Sequence, residues 1–566
     1  MSKPDQSLRF GLIGGGPAAL FFYKTLLDTG RSGFSVDIFE KKTIAGIGMP
    51  YSNEGAGMEH ITNVSGNEIP SLVTSTADWM KQLPAARLTR YGIDPERFSD
   101  YRVFPRLLFG EYLADQFELL VQRGREAGIP TTLHLNTTVQ DIRDNREHNT
   151  VEVKAGDGLY TFDHVIICTG HHWPCRQEGR IPGYFDSPYP PAKLEKKFNH
   201  PVAIKGASLT AIDAVRTLAR FNGSFHEKQG GLEYTRDEGN SDFRMVMHSI
   251  NGLLPAVRFH LEDTHLAGEK LLTEKEVLEH MLDNDGYLSL DYIFEKDFKE
   301  ALKKRDPVFY EKIKNETIEG FVKMIMPARV AKDAFVLFRE EYVEAERSIR
   351  KHESVHWKEL LATLSFAMNY PAKHFSAEDM QRLKKTLMPL ISVVIAFVPQ
   401  DSVKELMALH EAGVLELKDV DTDSKIEPAE GGGIIYHYGE GKQAIFKTFV
   451  NGTGQPPLDM KDFPFQSLVE DGTLSQAELR FRDPGKGKEA LARDPEKVRD
   501  ASEAFFLRVP GMAITDSFKV IGTDGFHNPR IRLVAVPYIG GYNPDYSGLD
   551  FCEEASCRIV RDIFPQ

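Results

Sequence analysis

The chain has 566 residues, 41% hydrophobic and 27% charged, enough for two or three domains around large buried cores. Its net charge of −14 argues against nucleic acid and against an anionic membrane as main partners. Four cysteines make no disulfide framework, and the longest apolar run, Leu387 to Pro399, is too short for a bilayer and holds two prolines. A cytoplasmic protein without a leader is expected, because the N-terminus runs straight into a strand.

That strand covers residues 9–14. The turn Gly14-x-Gly16-x-x-Ala19 then opens a helix to Leu27. The first glycine permits the turn, the second lets backbone approach a pyrophosphate, and the small Ala19 lets helix and strand pack. The next strand, Ser35 to Glu40, ends in an acid placed to accept from ribose hydroxyls. Residues 46–64 lack periodicity and read as a long functional loop. Phe104 to Leu120 has helical spacing, Thr132 to Val139 is a strand, and Val151–Val153 with Tyr160–Phe162 predicts a hairpin. Val165 to Gly170 is a buried strand ending in Thr169-Gly170.

These segments resemble the flavin domain of two-dinucleotide flavoproteins. The motifs Gly46-Ile47-Gly48-Met49-Pro50-Tyr51, His60-Ile61-Thr62-Asn63-Val64 and Phe109-Gly110-Glu111-Tyr112-Leu113 are similar to those of FAD/NAD(P)-binding proteins related to the class B flavin monooxygenases. That group includes the ornithine and lysine N-hydroxylases. The resemblance implies that Gly14, Gly16, Ala19 and Glu40 hold the ADP part of FAD. It brings Met49, Tyr51 and Asn63 toward the isoalloxazine. Pro17, Ala18, Lys41, Gly48, Val139, Thr169 and Gly170 are counted in the same cofactor site.

About 190 residues after the first turn, Pro201 to Lys205 forms a second buried strand, and Gly206-x-Ser208-x-x-Ala211 opens a second helix. As the second of a pair, it resembles the nicotinamide-binding domain of the same flavoproteins, with Gly206, Ser208, Leu209, Thr210 and Ser249 as cofactor residues. Asp213 lies early in the helix, where a carboxylate suits the dipole. The following strand, Phe243 to Ser249, ends without an acid, and Arg258 or His248 is expected to meet a 2′-phosphate. This favours NADPH and leaves NADH open. The strand also departs from the family's usual Ser-Arg, whereas Gly252-Leu253-Leu254-Pro255 matches its turn.

Residues 265–412 show charged helical patterns at 275–281, 297–304, 333–349, 357–368 and 378–387. Lys323, Arg329, Lys332 and Arg339 read either as a solvated helix face or as part of a lid that excludes water and recognises a polar substrate. The chain returns through strands at 414–420, 434–438 and 444–450 to Asn451-Gly452-Thr453-Gly454, a second Thr-Gly strand end. The last signature runs from Ile531 to Asp550 ahead of a helix to Ile563. By the resemblance, Gly540, Gly541, Asn543 and Leu549 approach the flavin pyrimidine, where the helix dipole stabilises the reduced ring.

The expected architecture is α/β, with two Rossmann-like dinucleotide-binding domains and a helical insert. The segments are 1–175 (FAD), 176–264 (NAD(P)), 265–412 (insert, a candidate lid), 413–455 (NAD(P) return) and 456–566 (FAD return). No Cys-x-x-Cys pair, metal-ligand spacing or phosphate-binding lysine motif is present, and no catalytic acid or base is assigned; His171 and His172 read as loop residues near the cofactor. Without a protein redox centre, electrons must pass to a small molecule. The leading expectation is an NAD(P)H-dependent FAD monooxygenase that forms a flavin peroxide and N-oxygenates a small amine or amino acid, that substrate class resting on the resemblance. An NAD(P)H:acceptor oxidoreductase and a non-enzymatic flavin redox sensor are the alternatives.

Overall fold

The computed structural model describes residues 7–94, 99, 101–228, 230–261, 271–439, 441–545 and 548–565. The boundary expected at 264/265 lies outside the described residues, as do Tyr546 and Ser547 of the last signature.

The first domain is a doubly wound α/β unit. Strand β1 (Leu8–Ile13) leads into helix α1 (Pro17–Asp28), then β2 (Phe34–Phe39). After a long loop come α2 (Arg106–Glu126), β3 (Thr131–His134), an antiparallel trio β4 (Val139–Asn145), β5 (Thr150–Ala155) and β6 (Gly158–Phe162), and β7 (His164–Ile167). Strands β1, β2, β3 and β7 pair in parallel, and Phe10, Leu12, Val36, Ile38 and Ile166 are almost wholly buried between flanking layers. Continuous apolar strands of this kind suit a parallel sheet covered on both faces.

The second domain follows. It holds β8 (Tyr184–Phe185), β9 (Pro201–Lys205), α3 (Leu209–Asn222), the hairpin β10 (Gly223–Lys228) and β11 (Gly231–Arg236), and β12 (Arg244–Ile250). A helical region then intervenes, including α4 (Glu274–Asp283), α5 (Ala334–Lys351) and α6 (His356–Ala367). After α7 (Gln400–Glu411), β13 (Leu415–Val420), the meander β14 (Lys425–Pro428), β15 (Ile434–Tyr438) and β16 (Lys442–Phe446), and β17 (Thr448–Asn451) complete the domain. Its parallel sheet has the order β13-β12-β9-β17-β8.

Three details differ from the sequence reading. The segment 132–139 is not one strand: β3 ends at His134 in the main sheet and β4 begins at Val139 in the antiparallel trio. The segment 444–450 is two strands, because residues up to Phe446 belong to the meander while Thr448 onward joins the parallel sheet. Helix α7 packs on α3, β11 and β13, so it belongs to the second domain and the helical insert stops short of 412.

The chain then re-enters the first domain. Strands β18 (Gln476–Arg480), β19 (Val498–Ala501) and β20 (Ala504–Met512) form a small antiparallel sheet. Strands β21 (Lys519–Ile521) and β22 (His527–Leu533) extend the main sheet to β21-β22-β7-β1-β2-β3, and α8 (Leu549–Ile563) packs along α1. Much of the insert shares one core with this domain: Phe294, Phe298, Leu360 and Leu364 are continuous with Phe10, Leu108 and Phe551. No helix among the described residues is long and apolar enough to cross a membrane.

Candidate functional site: two glycine cradles held in one frame

Gly14 has φ of +103°, and a Cβ there would stand 2.5 Å from the Cys168 carbonyl oxygen, so any other residue is both strained and obstructed. A Cβ on Gly16 would stand 3.3 Å from the Gly48 Cα. Helix α1 then starts with Pro17, without a side-chain cap and without an acid in its first turn. Its free N–H groups and dipole form a cradle for phosphate. Ala18 is half-buried beside it, and Ala19 is fully buried where helix meets strand.

Ile13 pairs with Phe39, which puts Glu40 abreast of Gly14. The Glu40 carboxylate is fixed by the Gly15 N–H at 2.8 Å and the Lys42 N–H at 2.9 Å, and each oxygen keeps a second lone pair for a ribose hydroxyl. Lys41 is exposed beside it. The following loop lies over the cradle: Gly46 N–H donates to Gly15 O at 2.6 Å, and Gly48 stands against Pro17. Met49 O accepts from the Ser52 N–H and hydroxyl. The Tyr51 ring meets Phe109 edge-on at 4.8 Å, and burial pushes its phenol up to about 12. Val139 is half-buried at the start of β4.

Further groups collect at the carboxyl edge of the same sheet. Thr169 and Gly170 follow β7. Gly540, Gly541 and Asn543 follow β22 and lead to Leu549, the first residue of α8. The Cβ of any other residue at 541 would stand 2.3 Å from Pro510 O. Among the described residues, Thr169 Oγ1, His171 Nδ1 and both amide atoms of Asn543 are buried without a partner. Unsatisfied groups gathered at one sheet edge need an explanation. Together with the open cradle and Glu40, they form a donor and acceptor set that fits a flavin dinucleotide.

The second cradle repeats the first. Gly206 has φ of +98°, and its Cβ would stand 2.8 Å from Gly452 O, next to Thr453. Ser208 precedes α3 without capping it, and no acid lies in the first turn, so the N–H groups of Leu209, Thr210 and their neighbours are uncapped by side chains. Ser249 lies one residue before the end of β12.

Asp213 serves something other than the helix dipole. Arg106, the first residue of α2, meets it with two N–H groups at 2.5 and 3.1 Å, and the Tyr189 hydroxyl donates to it at 2.6 Å. Burial opposes ionisation, but the Arg106 guanidinium holds the Asp213 carboxyl below its usual range. Arg106 Nε also donates to Ile61 O at 3.0 Å. His60 is buried close by. Its Nδ1 accepts from the Gly57 N–H at 2.9 Å, which leaves Nε2 to donate to Asp213 O at 3.2 Å. One ionic cluster therefore ties α3, just past the second cradle, to the loop beside the first.

A second tie corrects the expectation for a 2′-phosphate. Arg258 is 4% exposed and donates to Glu68, to Asn63 O and, at 2.8 Å, to Ser65 Oγ. His248 is buried and stacks on Tyr436 at 4.1 Å, with Nδ1 donating to Ile204 O at 3.2 Å. The Arg258 guanidinium is thus taken up by the loop at 63–68, and the His248 ring is enclosed beside Tyr436. The charged residues singled out in the insert are likewise not gathered at a site. Arg329 is buried against Glu341, while Lys332 and Arg339 make exposed ion pairs and Lys323 is exposed.

The insert nevertheless reaches the first site. Asn369, beyond α6, accepts from the Asp545 N–H at 3.1 Å, in the turn before α8. A cavity of about 730 Å³ lies between the insert and α8, lined by Leu272, Val277, Met281, Phe366, Tyr370 and Arg558 among others. Cys168 is buried at the end of β7, and burial raises its thiol well above the usual range and that of Cys552 to about 12. Neither is a ready thiolate. Arg106 and Tyr189 escaped the sequence reading, and His60 entered it only as part of a motif, because nothing local marks a pairing between residues so far apart in the chain.

Residues 11–172 match the FAD-NAD(P)-binding family model. The first domain is thus similar to FAD/NAD(P)-binding domains and has their Rossmann-type arrangement of strands and helices. Residues 273–395 match the YdhS-like middle domain, which is the helical insert. A curated relative, the uncharacterized protein YdhS of Escherichia coli strain K12, is 28% identical over 562 residues, covering 98% of this chain and 97% of its own. Among solved structures, the ornithine N-hydroxylase KtzI of Kutzneria sp. 744 is 12% identical over 99% of both chains, with a TM-score of 0.43. The cadaverine monooxygenase DfoA of Erwinia amylovora, bound to FAD, is 11% identical over 100% of this chain and 95% of its own, with a TM-score of 0.45. Lactococcus lactis thioredoxin reductase is 9% identical over 98% and 99%, with a TM-score of 0.39.

Proposed function

We propose that this chain is an FAD-dependent monooxygenase that draws reducing equivalents from a nicotinamide dinucleotide and N-oxygenates a small amine or amino acid. The observation that carries the reading is the pair of uncapped glycine cradles, α1 after Gly14 and α3 after Gly206, held in one frame by Arg106 and Asp213. When bound, FAD accepts a hydride from the nicotinamide and delivers electrons to oxygen or to an organic acceptor.

The chain's own residues bind, orient and shield. The α1 N-terminus and Glu40 hold the ADP part of FAD, while Asn543, Thr169 and the start of α8 face the far end of the cofactor. The second cradle holds the nicotinamide dinucleotide pyrophosphate. The insert, anchored by Asn369 on the turn before α8, covers that side of the site. The raised thiols of the buried Cys168 and the half-buried Cys552 favour a small-molecule acceptor over a protein dithiol. Oxygen as acceptor and an amine as substrate rest on the motif resemblance.

The test is to purify the chain and measure bound flavin by absorbance. The flavin is then titrated anaerobically with NADH and with NADPH, and oxygen uptake is recorded with a panel of amines and amino acids. Oxygen uptake that rises with one substrate, with an N-oxygenated product, supports the proposal. Reduction followed by uptake that ends only in hydrogen peroxide with every substrate replaces it with an acceptor oxidoreductase. A chain that binds no FAD overturns it.

A further inference from the structure

The two cradles share a register that exposes one difference between them. In the first, Ile13 pairs with Phe39, so Gly14 stands abreast of Glu40. In the second, Lys205 pairs with His248, so Gly206 stands abreast of Ser249. Ser249 therefore holds the place that Glu40 holds in the first domain, and its hydroxyl is turned to backbone, donating to Leu253 O at 2.8 Å.

A carboxylate is nevertheless present, one strand further out. Ser249 pairs with Asp419 on β13. A Cβ on Gly252 would stand 3.2 Å from the Asp419 Cβ and 3.6 Å from its Cγ, so the Asp419 side chain lies against the turn that closes the end of β12. Asp419 is exposed there, beside Ile250, which is 53% exposed at the same strand end.

The basic side chains around this strand end are buried, paired or on the other face of the sheet. Arg258 is buried against Glu68, and His248 is buried beneath Tyr436. Lys418 pairs with Glu416 at 3.4 Å, and strand alternation puts it on the opposite face from Asp419. Lys205 follows Ala203 onto the face covered by the β14–β16 meander. Asp421 is occupied by the Gly439 N–H at 3.0 Å.

We propose that Asp419 selects NADH over NADPH as the hydride donor. An acid at this edge accepts from the 2′-hydroxyl of the adenine ribose, whereas a 2′-phosphate brings negative charge to a place that already offers a carboxylate. This rests on the second cradle being the nicotinamide site.

The experiment uses the full, flavin-loaded chain and measures dissociation constants for NAD⁺ and NADP⁺ by calorimetry, at low and high salt. NAD⁺ binds at least about tenfold tighter, and the ratio narrows as salt screens the repulsion. Asp419→Asn narrows the ratio by improving NADP⁺ binding, and Asp419→Arg reverses it. Because Asp419 is exposed and makes no ion pair among the described residues, both variants keep their flavin and their circular dichroism. Tighter NADP⁺ binding by the unaltered chain, or a ratio unchanged in Asp419→Asn, overturns the proposal and leaves the cradle reading standing. Failure of both nucleotides to bind overturns the cradle reading itself.

Discussion

Replacing Asp213 by asparagine keeps the shape of the side chain and removes one charge from a buried ionic contact between the two domains. The Asp213 side chain is 6% exposed and that of Arg106 is 14% exposed, and the carboxylate receives two guanidinium N–H groups and the Tyr189 hydroxyl. Breaking a buried pair by removing one partner costs about 3–5 kcal/mol, chiefly because the remaining charge stays buried and uncompensated. Arg106 keeps the Ile61 carbonyl and some solvent, so a value near the lower end, about 3 kcal/mol, is expected. Tyr189→Phe removes one hydrogen bond to a charged group and costs about 1.5–3 kcal/mol. The double variant Arg106→Met with Asp213→Leu leaves no buried charge and recovers most of the loss. Global unfolding of a chain with two docked domains is a poor readout, so the assay is native-state hydrogen exchange on peptides spanning 57–64, 104–110, 186–190 and 209–217. A loss of about 3 kcal/mol appears as exchange roughly 150-fold faster in those four peptides. If Asp213→Asn accelerates them less than about fivefold, or accelerates peptides across the whole chain equally, the pair does not hold the domains together and the reasoning fails.

Gly14→Ala puts a methyl group 2.5 Å from Cys168 O at a φ of +103°. Such protein as folds is expected to carry little flavin absorbance per chain, and a flavin content equal to that of the parent would contradict the cradle. Burial pushes the Asp297 carboxyl from 3.8 up to about 7, although its oxygen accepts from Leu272 N–H at 3.1 Å. A raised carboxyl pKa stabilises the protonated form, so this contribution is complete below about pH 4 and is lost as pH rises through 7. Its upper limit is about 4 kcal/mol. Asp297→Asn should therefore gain in melting temperature relative to the parent between pH 5 and pH 8, and parallel pH curves for the two chains would show that Asp297 titrates normally. Burial also lowers His248 from 6.5 to about 4. Its contribution is present above pH 6.5 and is lost as pH falls to 4, by up to about 3 kcal/mol. His248→Phe keeps a ring against Tyr436 and should flatten that acid limb of the stability curve.

What the sequence reveals and what it conceals divide along the range of the forces involved. Gly14 and Gly206 are legible because a positive φ and a close backbone approach are demands of the chain on its immediate neighbourhood, and few residue types meet them. Glu40 is legible because it ends the next strand. The helices at 275–281, 333–349 and 357–368 announce themselves by periodicity and appear as α4, α5 and α6 with small shifts at their ends. Asp213 was readable only as an acid near a helix start, because its partner lies 107 positions away and reaches it through domain docking. Arg258 has the same history. As a free guanidinium it suits a phosphate, but the fold buries it against Glu68, 190 positions away, and that burial decides its chemistry. Asp419 is the sharpest case. The acid sought at the end of the second strand is absent there, and it becomes relevant only because β13 returns after the insert to lie beside β12. What stands at such an edge is set by strand order in space, which a reading along the chain does not contain. The residues proposed to hold a dinucleotide are thus local in origin, and those that tie the two domains, or are proposed to discriminate between dinucleotides, are products of topology.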